Sequence, residues 1–276
     1  MLSSRILPDL AAAILLIAWP LSAAYGGERA EAVDHSALRV CSDPGNMPFS
    51  NTKGEGFENK IAELFAQKLG VPVHYTWFPQ ATGFLRNTLR ARRCDLVMGI
   101  VSGAELAQST NPYYRSSYVM VTRTEDHIDV DRIEDLRDTS HRVGLIAGTP
   151  PAYIVANSDL MARARPYDLM VDTRFDSPSR RMIQDLVDKK IDVALLWGPL
   201  GGYFASQHGD ALAVKPLLKE PKTVRMDYYI TMGVRPGETR WKQEINKLIG
   251  ENREAISKIL HGYHVPLLDA QGRPIP

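Results

Sequence analysis

The chain has 276 residues, 44% hydrophobic and 24% charged, which is enough apolar material for a sizeable core and excludes a disordered composition. Its 33 lysines and arginines are matched by 32 aspartates and glutamates, for a formal net charge of +1. That balance argues against nucleic acid as a partner, because binding it demands a basic face.

Arg5 is followed by an apolar stretch from Leu10 to Leu21 and then by Ser22-Ala23-Ala24. A basic residue, a short apolar core and small closing residues are the order of a secretory signal peptide. Residues 1–24 are therefore expected to be a leader cleaved after Ala24, and the protein to be exported. The apolar core is too short for a membrane span, and no cysteine follows the small residues, so no stable membrane anchor is expected.

Leu38-Arg39-Val40-Cys41 reads as a short buried strand before the polar turn Ser42-Asp43-Pro44-Gly45-Asn46. Phe57, Ile61, Leu64, Phe65 and Leu69 fall at helical spacing and Gly70 stops the run, which predicts a helix over 57–69. Val73 to Phe78 alternates weakly as a strand, and Phe84, Leu85, Thr88 and Leu89 form the next helical stripe.

Next comes a pattern the chain uses twice. Residues 92–103 read Arg-Arg-Cys-Asp-Leu-Val-Met-Gly-Ile-Val-Ser-Gly, and residues 189–202 read Lys-Lys-Ile-Asp-Val-Ala-Leu-Leu-Trp-Gly-Pro-Leu-Gly-Gly. Each copy is a basic pair at a helix end, an apolar run of buried-strand length, and a turn of small residues. Each is preceded by another strand and turn; in the second copy these are Arg142 to Ile146 and Ala147-Gly148-Thr149-Pro150-Pro151. Ligands of open α/β sheets bind beyond the carboxyl ends of the strands, so the four turns are expected to face one cleft between two lobes. Roughly 250 residues remain after the leader, a length that suits one large domain or two, and the repeat decides for two.

Between the copies, Asn111 to Val121 reads as a turn and then an aromatic, β-branched strand leaving the first lobe, and the charged stretch from Thr122 to Ser140 suits a crossing. In the second half, Ser177 and Pro178 start a helix bearing Met182, Ile183, Leu186 and Val187. Tyr228 to Val234 reads as the returning strand, and Thr239 starts a helix bearing Trp241, Ile245, Leu248, Ile249, Ile256, Ile259 and Leu260, with a break near Gly250. The tail from His261 shows no core pattern. The expected division is lobe 1 over 25–121, lobe 2 over 122–228, and a return strand and C-terminal helices over 229–276 completing lobe 1, with crossings near Val119–Arg123 and Lys222–Thr231.

Cys41 and Cys94 leave two readings open. Export favours a disulfide. Against it, if the strands are parallel neighbours, four residues of offset is roughly 13 Å at 3.3 Å per residue, whereas a disulfide needs Cα atoms within about 7 Å.

The order of Leu38-Arg39-Val40, Pro48-Phe49, Gly56-Phe57-Glu58, Cys94-Asp95-Leu96, Tyr113-Tyr114 and the late helix resembles the family-3 extracellular solute-binding proteins over essentially the whole exported chain. The strings from Asp43 to Asn51, from Gly54 to Ala62, and Arg86-Asn87-Thr88-Leu89 resemble more closely the branch of that family associated with quinoprotein dehydrogenases. The resemblance implies the α/β, two-lobed periplasmic binding protein (type II) fold with a central cleft, a periplasmic location, and no cofactor of its own. As partner it implies a periplasmic, pyrroloquinoline-quinone-dependent methanol or alcohol dehydrogenase; the alternative is a solute-binding subunit that brings a small molecule to an ABC permease.

The departures from the family bear on the ligand. Amino-acid binders of the family carry an arginine shortly after the third strand, which grips the ligand carboxylate with two hydrogen bonds. Here that stretch is Ser102-Gly103-Ala104-Glu105-Leu106-Ala107-Gln108. Where those binders place an acid for the ammonium, this chain has Trp197-Gly198-Pro199, so an α-amino acid fits poorly.

The candidate cleft residues, for a ligand or a partner, are Asp43, Asn46, Phe49, Ser102, Gly103, Gly148, Thr149 and Trp197. Asp43 also suits a turn for local backbone reasons, Trp197 also suits core packing between lobes, and Thr149 before Pro150 makes a helix start that would accept an anion. No nucleophile elbow, zinc-protease motif or phosphate loop occurs, so no catalytic residue and no metal site is assigned. A carboxylate pair for acid and base work could be drawn from Asp43 and Glu105.

Overall fold

The repeated sequence folds as a repeated structure. The computed structural model describes residues 32–275, and the expected leader over 1–24 lies outside them. The chain forms β1 (Leu38–Ser42), a small ribbon of β2 (Gly45–Asn46) and β3 (Ser50–Asn51), α1 (Phe57–Leu69), β4 (Val73–Trp77), α2 (Phe84–Asn87), β5 (Leu96–Val101) and a long β6 (Gln108–Arg123). There follow β7 (Val143–Ile146), α3 (Pro150–Asn157), β8 (Ala164–Tyr167), α4 (Pro178–Val187), β9 (Val193–Trp197), α5 (Gly198–Ser206) and β10 (Leu212–Pro216). The chain returns through β11 (Asp227–Val234) to α6 (Thr239–Glu251) and α7 (Arg253–Gly262).

In the first copy β1 is flanked in parallel by β4 and β5; in the second, β7 is flanked in parallel by β8 and β9. The entry to each closing strand is fastened in the same way. Arg92 and Lys189 both take left-handed backbone, with φ of 58° and 59°. The Asp95 N–H donates to the Arg39 carbonyl at 2.9 Å, as the Asp192 N–H does to Arg142 at 2.8 Å. Arg39 Nη2 reaches the Arg92 carbonyl at 2.8 Å, and Arg142 Nη2 the Lys189 carbonyl at 2.7 Å. Each aspartate then pairs with two arginines: Asp95 with Arg39 and Arg235, Asp192 with Arg142 and Arg123.

The strands run in the order β4-β1-β5-β11-β6-β9-β7-β8, with β10 also on β6. The change of lobe happens inside β6: Gln108 to Ser117 pair with β11, and Tyr118 to Arg123 pair with β9 and β10. The crossing expected near Val119–Arg123, with the charged stretch from Thr122 onward, is made by one strand shared by both lobes, and the expected boundary after residue 121 falls within it. The β-branched pattern of Val119 and Val121 carries the strand onward through the boundary.

Each half keeps its own core. Leu38, Val40, Phe57, Ile61, Phe65, Leu96 and Met98 pack with Ile230, Met232, Trp241 and Ile245 in the first. In the second, Val119 and Val121 face Met182, Ile183 and Leu186, whereas Met120 faces Val143, Leu145 and Leu195, the alternation a strand requires. Helix α1 has no side-chain cap at Gly56. Burying Phe57 and Phe65 completely stabilises it by about 1.5–3 kcal/mol apiece, so its apolar face holds it in place.

Two expectations need correction here. Cys41 and Cys94 are joined in a disulfide with Cα atoms 5.5 Å apart. The offset argument against it assumed extended chain through Cys94, but β5 begins at Leu96 and the chain ahead of it turns at Arg92, so a per-residue strand rise does not apply. The tail beyond α7 is also part of the core: Val265, Leu267 and Leu268 are buried, Ser116 Oγ donates to the Pro266 carbonyl at 2.6 Å, and the Leu268 N–H donates to the Arg115 carbonyl at 2.9 Å. So few apolar residues make no readable period.

Candidate cleft between the lobes

A cavity of about 650 Å³ lies beyond the carboxyl ends of the parallel strands. Lobe 1 contributes Asn46 and Phe49 after β1, Glu58 from α1, and Gly99 to Val101 at the end of β5. Lobe 2 contributes Ile146 and Thr149 after β7 and Trp197 at the end of β9. Residues 168–177, which run from β8 to α4, form a strap along the cavity, with Leu169, Met170 and Thr173 among its lining. Tyr114 and Tyr118 of β6 and Tyr228 of β11 come from the strands that cross.

The candidates from the sequence divide accordingly. Asn46, Phe49, Thr149 and Trp197 line the cavity. Asp43 lies beside it, buried, with both carboxylate oxygens occupied: Oδ1 accepts from the Gly45 N–H at 2.9 Å and from Thr173 Oγ1 at 2.5 Å, and Oδ2 accepts from the Gln80 N–H at 2.5 Å. It ties the first turn to the strap of lobe 2, and it is not among the residues that line the cavity. Ser102 and Gly103 are exposed and outside the cavity, because β5 continues to Val101 and the turn projects past the rim. Gly148 belongs to a smaller neighbouring hollow with Pro150, Tyr153 and Arg225. Thr149 donates its hydroxyl to the Ile146 carbonyl at 2.6 Å, and α3 opens on Pro150 and Pro151, which have no N–H to offer an anion.

Two aromatic groups stand in this cleft. Trp197, Tyr118 and Tyr228 meet edge to face with centroids 5.3, 6.0 and 6.4 Å apart. In lobe 1 Phe49 meets Phe57 at 5.2 Å, Phe57 meets Tyr114 at 6.1 Å, and Tyr114 meets Tyr113 at 4.8 Å. Trp197 thus serves both of its readings, packed among rings and lining the cavity.

Glu58 was not singled out from the sequence. Burial pushes its carboxyl up to about 8, and the charge of Asp43 adds to the rise. Burial likewise holds Tyr113 and Tyr114 well above the usual phenol range and Tyr118 up to about 12. An acid in the first turn of a helix is favoured by the helix dipole alone, so its sequence position carries no signal of a cleft residue. Among the described residues the cavity lining includes the acids Glu58, Asp168 and Asp176 but no lysine, arginine or histidine.

The sequence matches the bacterial extracellular solute-binding proteins, family 3, over residues 38–264. The chain belongs to that family. Among solved structures, this family-3 protein is similar to the periplasmic binding protein XoxJ from Methylobacterium extorquens AM1, at 42% identity and a TM-score of 0.72, covering 84% of this chain and 99% of that one. Protein MoxJ of Methylorubrum extorquens is 27% identical over 251 residues, 85% of this chain and 83% of its own. MxaJ from Methlophaga aminisulfidivorans MPT, at 22% identity and a TM-score of 0.72 over 84% of this chain and all of that one, shares the type II periplasmic binding protein fold. Among the described residues no helix is long and apolar enough to cross a membrane.

Proposed function

We propose that this protein is a periplasmic accessory factor of a pyrroloquinoline-quinone-dependent methanol or alcohol dehydrogenase, serving its maturation, activation or cofactor loading. The observation that carries this reading is the 42% identity to XoxJ across 99% of that chain, beside the branch resemblance in the turn and first helix. The cleft agrees with it. Without a basic residue in its lining it offers no anchor for an amino-acid carboxylate, which weakens the importer reading. The strap supplies a surface for a protein partner: Leu169, Met170 and Phe175 are 51, 60 and 84% exposed beside the mouth of the cleft.

Deleting the protein should lower the activity of the periplasmic quinoprotein dehydrogenase, and the wild-type protein should retain that enzyme from a periplasmic extract. Phe175→Ser removes exposed apolar surface without touching the core, so it should weaken the complex and leave the melting temperature unchanged. Normal dehydrogenase activity in the deletion strain, with no complex at micromolar concentrations, would refute the role and leave delivery of a solute to an ABC permease as the better account. Fractionation should find the protein shortened in the periplasm; full-length retention in the cytoplasm would refute export.

A further inference from the structure

Among the described residues six acids are buried: Asp43, Glu58, Asp95, Asp185, Glu220 and Glu238. Five of them have donors. Asp43 holds Thr173 and two backbone N–H groups, Asp95 and Glu238 hold Arg235, Asp185 holds Tyr167 and Lys190, and Glu220 accepts from the Ile133 N–H. Glu58 is 7% exposed, its carboxyl makes no hydrogen bond or ion pair, and it lines the cavity. Room is made for it: a Cβ at position 99 would collide with Glu58 Oε1, so the carboxyl lies against the bare backbone of Gly99. A buried acid without a donor costs free energy, and a framework acid would have acquired a partner as the other five did.

The rest of the lining has one electrostatic character. Asp168 and Asp176 add acidic groups; Asp176 pairs with Arg181 at 2.8 Å, but no basic residue stands in the lining itself. Phe49, Tyr114, Tyr118, Trp197 and Tyr228 line the same space. Aromatic faces attract cations, and several rings around one cavity are the usual means of holding an organic ammonium group.

We propose that the cleft binds a small organic cation that carries no carboxylate, with its charged head set against Glu58 and among the aromatic rings. The absence of a basic residue in the lining disfavours anions and zwitterions, and a cation alone can draw Glu58 into its charged form. The volume of about 650 Å³ lies within the roughly 300–1,000 Å³ of small-molecule sites. Binding is coupled to a proton. Since burial pushes the carboxyl up to about 8, Glu58 is mostly protonated at neutral pH, and a cation placed beside it draws it into the carboxylate form. The titratable groups near it are Asp43, Tyr75, Tyr113 and Tyr114. The three tyrosines are raised by burial and stay neutral, and Glu58 is the acid that burial pushes up toward neutral pH, so the proton released is assigned to it.

Calorimetry on the purified protein tests this with four probes: choline, tetramethylammonium, the neutral carbon analogue of choline in which a tert-butyl group replaces the trimethylammonium, and glycine betaine. At least one of the two cations should bind about tenfold or more tighter than the neutral analogue and the betaine. Its affinity should rise between about pH 6 and 8, and titrations in buffers of different ionisation heat should show proton release. Glu58→Gln should abolish both the preference for charge and the proton release; a circular-dichroism melt checks that it folds. If it does not fold, proton release by the wild-type protein remains as the decisive measurement. Equal binding of cation and neutral analogue, no saturation by either cation below about 10 mM, or binding without proton release would overturn the proposal. All of these use the isolated protein, so their failure leaves the dehydrogenase reading standing.

Discussion

The two copies of the repeat perform the same local task by different means. In both, an arginine at or just before the first strand holds the carbonyl of a left-handed residue, Arg92 or Lys189, and the aspartate just ahead of the last strand. Aligning Arg39 with Arg142 and Asp95 with Asp192 places Cys41 opposite Gly144 and Cys94 opposite Ile191. The first copy closes this contact with a disulfide; the second closes it by packing so tight that a Cβ on Gly144 would stand 2.5 Å from Ile191 Cδ1. The ion pairs differ in the same sense. Asp95 is 1% exposed and meets Arg235 at 8%, whereas Asp192 is 15% exposed and one of its partners, Arg142, is 49% exposed. One backbone geometry therefore tolerates covalent, ionic or steric closure, and lobe 1, which holds the unpartnered Glu58, has the more buried set.

The contrast can be broken most directly at the aspartates. Asp95→Asn should cost about 3–5 kcal/mol, since it leaves the buried Arg235 short of charge, while Asp192→Asn should cost less, about 1–3 kcal/mol, because its pair with Arg142 is open to water and the buried Arg123 keeps Asp126. Urea unfolding of both variants measures the difference, and equal losses would mean that burial does not set it. Replacing Cys41 and Cys94 together by alanine should cost about 2–4 kcal/mol, from the 53-residue separation that the bond constrains. The matching change in lobe 2, Gly144→Ala, should cost about 1–3 kcal/mol by overpacking against Ile191. Thermal melts with and without reductant sharpen this pair: reductant should lower the melting temperature of the wild type and leave that of the cysteine-free variant unchanged. The smallest effect belongs to the bond that ties the turn of lobe 1 to the strap of lobe 2. Thr173→Val removes a donor to Asp43 and should cost about 1 kcal/mol, with faster proteolysis of residues 168–177 and no change elsewhere.

The repeat was legible because each unit pairs a helix-ending basic residue with an apolar run too short for a helix, and Gly70 marks the end of α1 where the structure ends it. Residues whose role depends on distant contacts were less so. The crossing inside β6 has no turn signal, because its sequence favours strand on both sides of Tyr118. The strap has no periodicity, and Glu58 looks like any first-turn acid until Gly99, a whole strand away, is seen beneath it. Asp43 shows the limit from the other direction. Its turn chemistry was readable, and the structure uses it for the turn and for Thr173, which nothing local could reveal.

The strand common to both lobes has a mechanical consequence. Ser116 and Ser117 are fully buried where the partners of β6 change, and Ser116 is held by Pro266 of the tail. Gly202 of α5 approaches the His264 carbonyl so closely that a Cβ would collide with it, so the tail is wedged against lobe 2 while it is bonded to β6. A swing of the lobes away from each other would pull Ser116 off Pro266 and part α5 from the tail. The tail is thus a splint laid across the joint, set against its bending.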